Sequence, residues 1–128
     1  MIRFPYLKDE EADQFHSYVY HISAQPGSGE YSLSTLLYPG AWAKYALHDR
    51  VHDLQVPTSF IYGREDWMDY KGAMTVVDKI NPPTRIIVIE DAGHHLYLDN
   101  PSVFNASVLA EIKGGRVTEG LEYVYDRS

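Results

Sequence analysis

The sequence predicts an α/β fold that is only partly contained in this chain. Three observations carry that reading. From residue 56 to residue 113 the patterns run strand, helix, strand, helix, the order of a parallel sheet. "TRIIVI" at 84–89 is a continuous apolar run, as found where both faces of a strand are covered. Nothing before residue 56 alternates in a way that supplies further strands, yet two strands alone do not make such a sheet.

The elements follow in order. "LKDEEADQFHSYVYHISAQ" opens with a helix-start signal: Asp9 as a cap, acidic residues in the first turn, then Phe15, Tyr18, Val19 and Ile22 at helical spacing. "PGSG" at 26–29 ends that helix. "YSLSTLLYPGAWAKYALHDRV" reads as two short helical pieces split by Pro39-Gly40. "VPTSFIYG" predicts a strand at about 58–62, and "DYKGAMTVVDKIN" a helix with Met74, Val77 and Ile80 on one face, stopped by Pro82-Pro83. "PSVFNASVLAEIKGG" predicts another, with Pro101 in its first turn, Phe104, Val108 and Ile112 as its stripe, and Gly114-Gly115 at its end. The tail "RVTEGLEYVYDRS" is weakly patterned, a short edge strand or a loose end. The organisation expected is therefore a helical segment over 1–55, a β-α-β-α core over 56–113 and a tail over 114–128.

Composition bounds the function. With 128 residues, 45% hydrophobic and 23% charged, the chain has the make-up of an ordinary globular domain. Its formal charge of −7 argues against nucleic acid, whose binders need clustered cations. Without cysteine there is no disulfide, thiolate metal site or cysteine nucleophile. No apolar run reaches the roughly 20 residues that span a bilayer, so membrane contact is expected to be peripheral.

The chemistry is expected where both strands end, because functional residues of open α/β sheets sit beyond the carboxyl ends of strands. "YGREDWMD" follows the first strand and presents Asp66; "EDAGHHLYLD" follows the second and presents His94 and His95. A carboxylate and an imidazole at neighbouring strand mouths make the acid–base half of a Ser-His-Asp triad, and Asp66 before His94 fits the order Ser…Asp…His. Taken singly, Asp66 also reads as a turn former and His94 or His95 as a satisfied polar group.

The segments "GEYSLSTLLYPGAWAK", "VPTSFIYGREDWMDYKGA" and "AGHHLYLDNPSVFN" resemble the C-terminal half of an α/β-hydrolase-domain subfamily. It includes the lipid-droplet lipase co-activator, the N-acylphosphatidylethanolamine lipase, a fungal cardiolipin deacylase and lysophospholipid acyltransferases of fungi and plants. The resemblance implies a C-terminal part of an α/β-hydrolase fold: a helical cap segment, then the last two parallel strands and their helices. It implies His94 as the triad histidine, Asp66 as its acid partner, and His94 with Asp99 as an H-x4-D element associated with acyl transfer. Asp99 orients one of the histidines or caps the helix that starts at Pro101.

One departure from the pattern stands out. The nucleophile elbow G-x-S-x-G is absent; the Gly-flanked serine is Ser28 in "PGSGE", which follows a helix rather than a strand. The expectation is a fragment or truncated product of a longer serine hydrolase or acyltransferase, or a short form with a broken triad. This chain alone is expected to turn over little substrate, to dissolve poorly and to need a missing N-terminal half or a partner chain to complete its sheet. The resemblance further implies a lipid substrate, contact with a membrane or lipid droplet, an intracellular place (cytoplasmic, lipid-droplet or mitochondrial-membrane), no metal, and acyl-CoA as co-substrate if the activity is acyl transfer. The rival from another class is a non-catalytic lipase co-activator or lipid-surface adaptor. A third is a serine-independent acyltransferase that uses H-x4-D alone.

Other signals have plainer readings. His48 and His52 in "HDRVHD", with Asp49 or Asp53, have a spacing that suits a metal if they share a helix face, but a solvated face is the better reading. Phe4, Tyr6, Phe15, Tyr18, Tyr20 and Tyr31 suit either an acyl-chain groove or lid, or ordinary packing. Asp9, Glu10, Glu11 and Asp13 read as an acidic first helical turn.

Overall fold

A computed structural model describes residues 7–27 and 29–127. Phe4, Tyr6 and Ser28 lie outside the described residues. The described residues divide into two compact units, residues 7–50 and residues 51–127.

In the first unit α1 (Asp9–Ser23) starts one residue earlier than a cap at Asp9 requires: Lys8 is the cap, and its backbone N–H donates to Glu11 Oε2 at 3.0 Å. Asp9, Glu10 and Glu11 fill the first turn, where carboxylates favour the exposed N–H groups. A 3₁₀ turn at Gly29–Ser32 leads into α2 (Leu33–Leu36). α2 is a short form of the first expected helical piece; beyond it comes a hairpin, β1 (Leu37–Tyr38) antiparallel to β2 (Trp42–Ala43), and the second piece is reduced to a 3₁₀ turn at Leu47–Asp49. Pro39-Gly40 is the turn of the hairpin rather than a helix break, and Gly40 (φ 89°) and Ala41 (φ 63°) both take the left-handed conformation that reverses the chain. No described residue of this unit is buried. The stripe on α1 is therefore not a core: Tyr18 is 61% and Ile22 53% exposed.

The second unit has the core. After a 3₁₀ turn at Val51–Asp53 come β3 (Thr58–Gly63), α3 (Lys71–Met74), a 3₁₀ turn at Val77–Lys79, β4 (Thr84–Ile89), α4 (Leu96–Asp99), α5 (Pro101–Lys113) and β5 (Leu121–Arg127). The sheet order is β3-β4-β5. β3 and β4 are parallel, from Thr58 opposite Thr84 to Gly63 opposite Ile89. β5 runs antiparallel along the other edge of β4, from Arg127 opposite Thr84 to Leu121 opposite Ile89, with a register shift between Ile86 and Ile87.

β4 is thus the central strand, and Ile86, Ile87, Val88 and Ile89 are fully buried, as the unbroken apolar run predicts. One cluster joins Val51, Val76 and Ile80 to Leu54 and Phe60; another joins Ala73, Val77 and Ile86 to Phe60, Tyr62, Tyr70, Val124 and Tyr125. The helix expected over 69–81 is only one α turn and one 3₁₀ turn. Gly72 and the β-branched run Thr75-Val76-Val77 weaken it, and the Thr75 hydroxyl donates back to the Gly72 carbonyl at 2.7 Å. Val77 and Ile80 still reach the core, while Met74 is exposed.

α5 forms as read, with Gly114 (φ 69°) closing it. Its buried residue is Ser107, whose hydroxyl is satisfied by the Val103 carbonyl at 2.7 Å; Ile112 of the expected stripe faces out. Arg85 on β4 reaches Glu111 of α5 at 2.9 Å and Asp126 of β5 at 3.3 Å, joining three elements. Burial works against its charge, but the two carboxylates outweigh that and raise its pKa.

Candidate functional site

The carboxyl ends of β3 and β4 lie side by side, and the loops that leave them are laced together. Arg64 donates its backbone N–H to Ile89 O at 2.9 Å, and Glu65 donates to Ala92 O at 2.9 Å. Such close approach requires glycine at 63, since a Cβ there would stand 2.3 Å from the carbonyl oxygens of both Ala92 and Gly93.

That lacing brings Asp66 to His94. His94 Nδ1 lies 3.1 Å from Asp66 Oδ1 and 3.2 Å from Oδ2, across 28 residues of sequence. The carboxylate also accepts the Met68 N–H at 2.9 Å and is nearly buried, 6% exposed, while the imidazole is 45% exposed. An ionised carboxylate has only acceptors, so Nδ1 carries a proton, and in the neutral ring Nε2 keeps its lone pair. The result is a held, oriented imidazole with one face open. Trp67 lies against the ring, centroids 5.2 Å apart and planes 37° from parallel, and His95 meets it edge-on at 5.4 Å. His95 Nδ1 is itself 3.1 Å from the Tyr97 hydroxyl. Burial, and then the charge of Asp66, raise the pKa of the neighbouring Tyr62 hydroxyl.

Asp99 does not cap α5. Asn100 does, accepting the Val103 N–H at 3.4 Å while its amide donates to Glu90 O at 3.1 Å. Asp99 instead ends α4, and its Oδ2 accepts the backbone N–H of Gly93 at 2.9 Å. Neither the Asn100 cap nor the fork from Arg64 to Glu90 (2.7 Å) and Glu122 (2.5 Å) is marked in the sequence by a motif. In "DNP" either residue before the proline suits a cap. Nothing local pointed to Arg64, whose partners are 26 and 58 residues away. Its hydrogen bonds hold the Glu90 carboxyl below its usual range against an opposing effect of burial.

His48 and His52 do not share a helix. They sit on separate 3₁₀ turns, Leu47–Asp49 and Val51–Asp53, each beside its own neighbouring aspartate, Asp49 at 3.2 Å and Asp53 at 3.3 Å. Among the described residues no group of three or more metal-ligating side chains gathers, and no helix is long and apolar enough to cross a membrane.

Comparison with known proteins gives consistent relatives. A 1-acylglycerol-3-phosphate O-acyltransferase of Arabidopsis thaliana is 40% identical over 103 residues, 80% of this chain and 25% of the relative. A (lyso)-N-acylphosphatidylethanolamine lipase of Mus musculus is 35% identical over 101 residues, 77% of this chain and 30% of the relative. The abhydrolase domain-containing protein lid-1 of Caenorhabditis elegans is 31% identical over 121 residues, 92% and 32% respectively. Over this stretch the chain is similar to α/β-hydrolase-domain proteins. It spans about a quarter to a third of the length of these relatives, and three strands with their helices suit a partial α/β fold. No family model matches the chain, and no solved structure does.

Proposed function

We propose that His94 and Asp66 are the base and orienting acid of a Ser-His-Asp machine that cleaves or transfers acyl groups of phospholipids or lysophospholipids, with the nucleophilic serine supplied by residues outside this sequence. The observation that carries the reading is the hydrogen bond of His94 Nδ1 to the nearly buried Asp66, which leaves Nε2 as the base. In the step it serves, Nε2 takes the serine proton as the oxygen attacks the acyl carbonyl, and returns it to the departing group, the alcohol of a lipid ester or the thiol of CoA. Water or the hydroxyl of a lysolipid then takes the acyl group by the same route. No metal enters this scheme; acyl-CoA is the donor in the transferase form. The substrate class is supported by the names of the relatives, acyltransferases of 1-acylglycerol-3-phosphate and lipases of N-acylphosphatidylethanolamine.

Contact with an intracellular lipid surface belongs to the same proposal. It is supported by the aromatic side chains that residues 7–50 leave in solvent, among them Tyr20 (69% exposed), Trp42 (75%) and Tyr45 (78%).

The test is an assay of the natural product at the length its transcript encodes, with labelled lysophosphatidic acid plus acyl-CoA and, separately, N-acylphosphatidylethanolamine. Turnover that is blocked by a serine-directed fluorophosphonate and lost in His94→Ala supports the reading. Acyl-CoA-dependent turnover lost in His94→Ala but insensitive to the probe replaces it with a serine-independent acyltransferase. No turnover on either lipid, with stimulation of a separate lipase, replaces it with the adaptor.

A further inference from the structure

We propose that Asp99 is a positioning residue for His94 that acts through the main chain, holding the Gly93 N–H and so fixing where the backbone delivers the imidazole. This rests on reading His94 as the base; it gives the four-residue gap between His94 and Asp99 a physical cause.

The loop after β4 is closed at both ends. Asp99 Oδ2 accepts the Gly93 N–H at 2.9 Å, and the Asp99 backbone N–H donates to His95 O at 2.9 Å. His94 lies inside the ring these two bonds make. α4 is a single helical turn, so Asp99 falls one turn beyond His95. Side chains on a helix lean toward its N-terminus, and this returns the carboxylate to the start of the loop. A shorter gap would point it elsewhere, and a longer one would carry it past Gly93.

The alternative, Asp99 as a second carboxylate on the ring, conflicts with the chemistry of the base. Imidazole has two nitrogens. Nδ1 is taken by Asp66, and a carboxylate facing Nε2 would hold a proton there, leaving no lone pair to accept the incoming one. A bond to the Gly93 N–H leaves Nε2 free. It also needs an acceptor oxygen rather than a negative charge, which makes the proposal separable from a charge role.

The experiment is nuclear magnetic resonance on the isotope-labelled full chain and on Asp99→Asn and Asp99→Ala, following the Gly93 amide proton and the His94 ring nitrogens across a pH titration. Asp66, His94 and His95 titrate nearby, so each effect is read as the difference between variants. The expected result is a Gly93 amide that is shifted downfield and follows an acidic titration. In Asp99→Asn the titration is lost while the downfield shift and the His94 titration stay. In Asp99→Ala the amide moves upfield and exchanges faster, and the His94 ring signals broaden. If Asp99→Ala does not fold, the native chain and Asp99→Asn decide. A Gly93 amide that ignores both substitutions overturns the proposal, as does a His94 titration displaced by Asp99→Asn as far as by Asp66→Asn. Neither readout uses turnover, so an inactive protein would count against the proposed function and leave this inference to its own test.

Discussion

Gly63 and Gly93 approach so closely that a Cβ on the first would stand 2.3 Å from the carbonyl oxygen of the second. The obstacle is backbone on both sides, so it has no flexible end that yields. Gly63→Ala is therefore expected to part the loops after β3 and β4 and to cost about 1–3 kcal/mol, the range for forcing a methyl into packed structure. A denaturant midpoint measures the cost. The same variant should weaken the Asp66–His94 bond, seen as a displacement of the His94 ring-nitrogen signals toward those of Asp66→Asn. An unchanged midpoint and unchanged ring signals would mean that the loops part freely.

Asp66→Asn tests what the carboxylate does for the ring. An amide in its place can donate to Nδ1, which moves the proton to Nε2 and removes the base. In the natural product turnover should fall by about 10⁴, the loss seen when a triad aspartate becomes asparagine. The fold should stay, because the amide oxygen still accepts the Met68 N–H that Asp66 now holds at 2.9 Å. Ring nitrogen shifts report the tautomer directly; turnover kept within tenfold would sink the orienting role.

Tyr62 ties pH to the same carboxylate. Burial and the Asp66 charge raise its pKa above the ordinary 10.0. Its stabilising contribution is thus complete below the unfolded value and is lost as pH climbs from 10.0 through the folded one, where the unfolded chain gives up the proton first. Stability measured by denaturant from pH 9 to 11.5 should decline less steeply in Tyr62→Phe than in the native chain. In Asp66→Asn, which removes the smaller of the two causes, the decline should lie between them.

At acid pH the sign reverses. Arg64 holds the Glu90 carboxyl below its usual 4.5, so the contribution is present above that value and lost as pH falls through the folded pKa. The pair is partly exposed, with the two side chains 32% and 45% accessible, so salt should screen it. Glu90→Gln should flatten the acid limb of the stability curve at low ionic strength and change little in molar salt.

The Asp66–His94 pair was legible because each follows an apolar strand, and a parallel pair of strands must open its loops on the same side. The cap of α5 was legible only to within a residue: Asp99 and Asn100 are both good caps, and side-chain geometry alone gives Asn100 to the helix and Asp99 to Gly93. The hairpin at Leu37–Ala43 escaped because two strands of two residues carry no period, and Pro39-Gly40 punctuates a helix as readily as it makes a turn. α1 deceived in another way. Its apolar spacing is real, but no described residue of its unit is buried, so the pattern does not mark a core. The sequence marks β5 only as an edge strand or a loose end, since a half-exposed antiparallel edge mixes polar and aromatic residues without a clean alternation.

β5 also changes the expectation that the core strands lie open. It covers one edge of β4 along all of Thr84–Ile89, so β4 is paired on both sides and β3 is the parallel strand left at the edge. A chain truncated after Gly120 would uncover the N–H and C=O groups of β4 beside four fully buried aliphatic residues, Ile86 to Ile89. It would also leave Arg85 without Asp126 and Arg64 without Glu122. An apolar strand with an unpaired edge is a template for association. The truncated chain is therefore expected to scatter light and bind thioflavin at concentrations where the full chain remains dispersed, and to lose its cooperative thermal transition. If both forms aggregate alike, association runs through the edge of β3, and covering that edge becomes the requirement for a soluble protein.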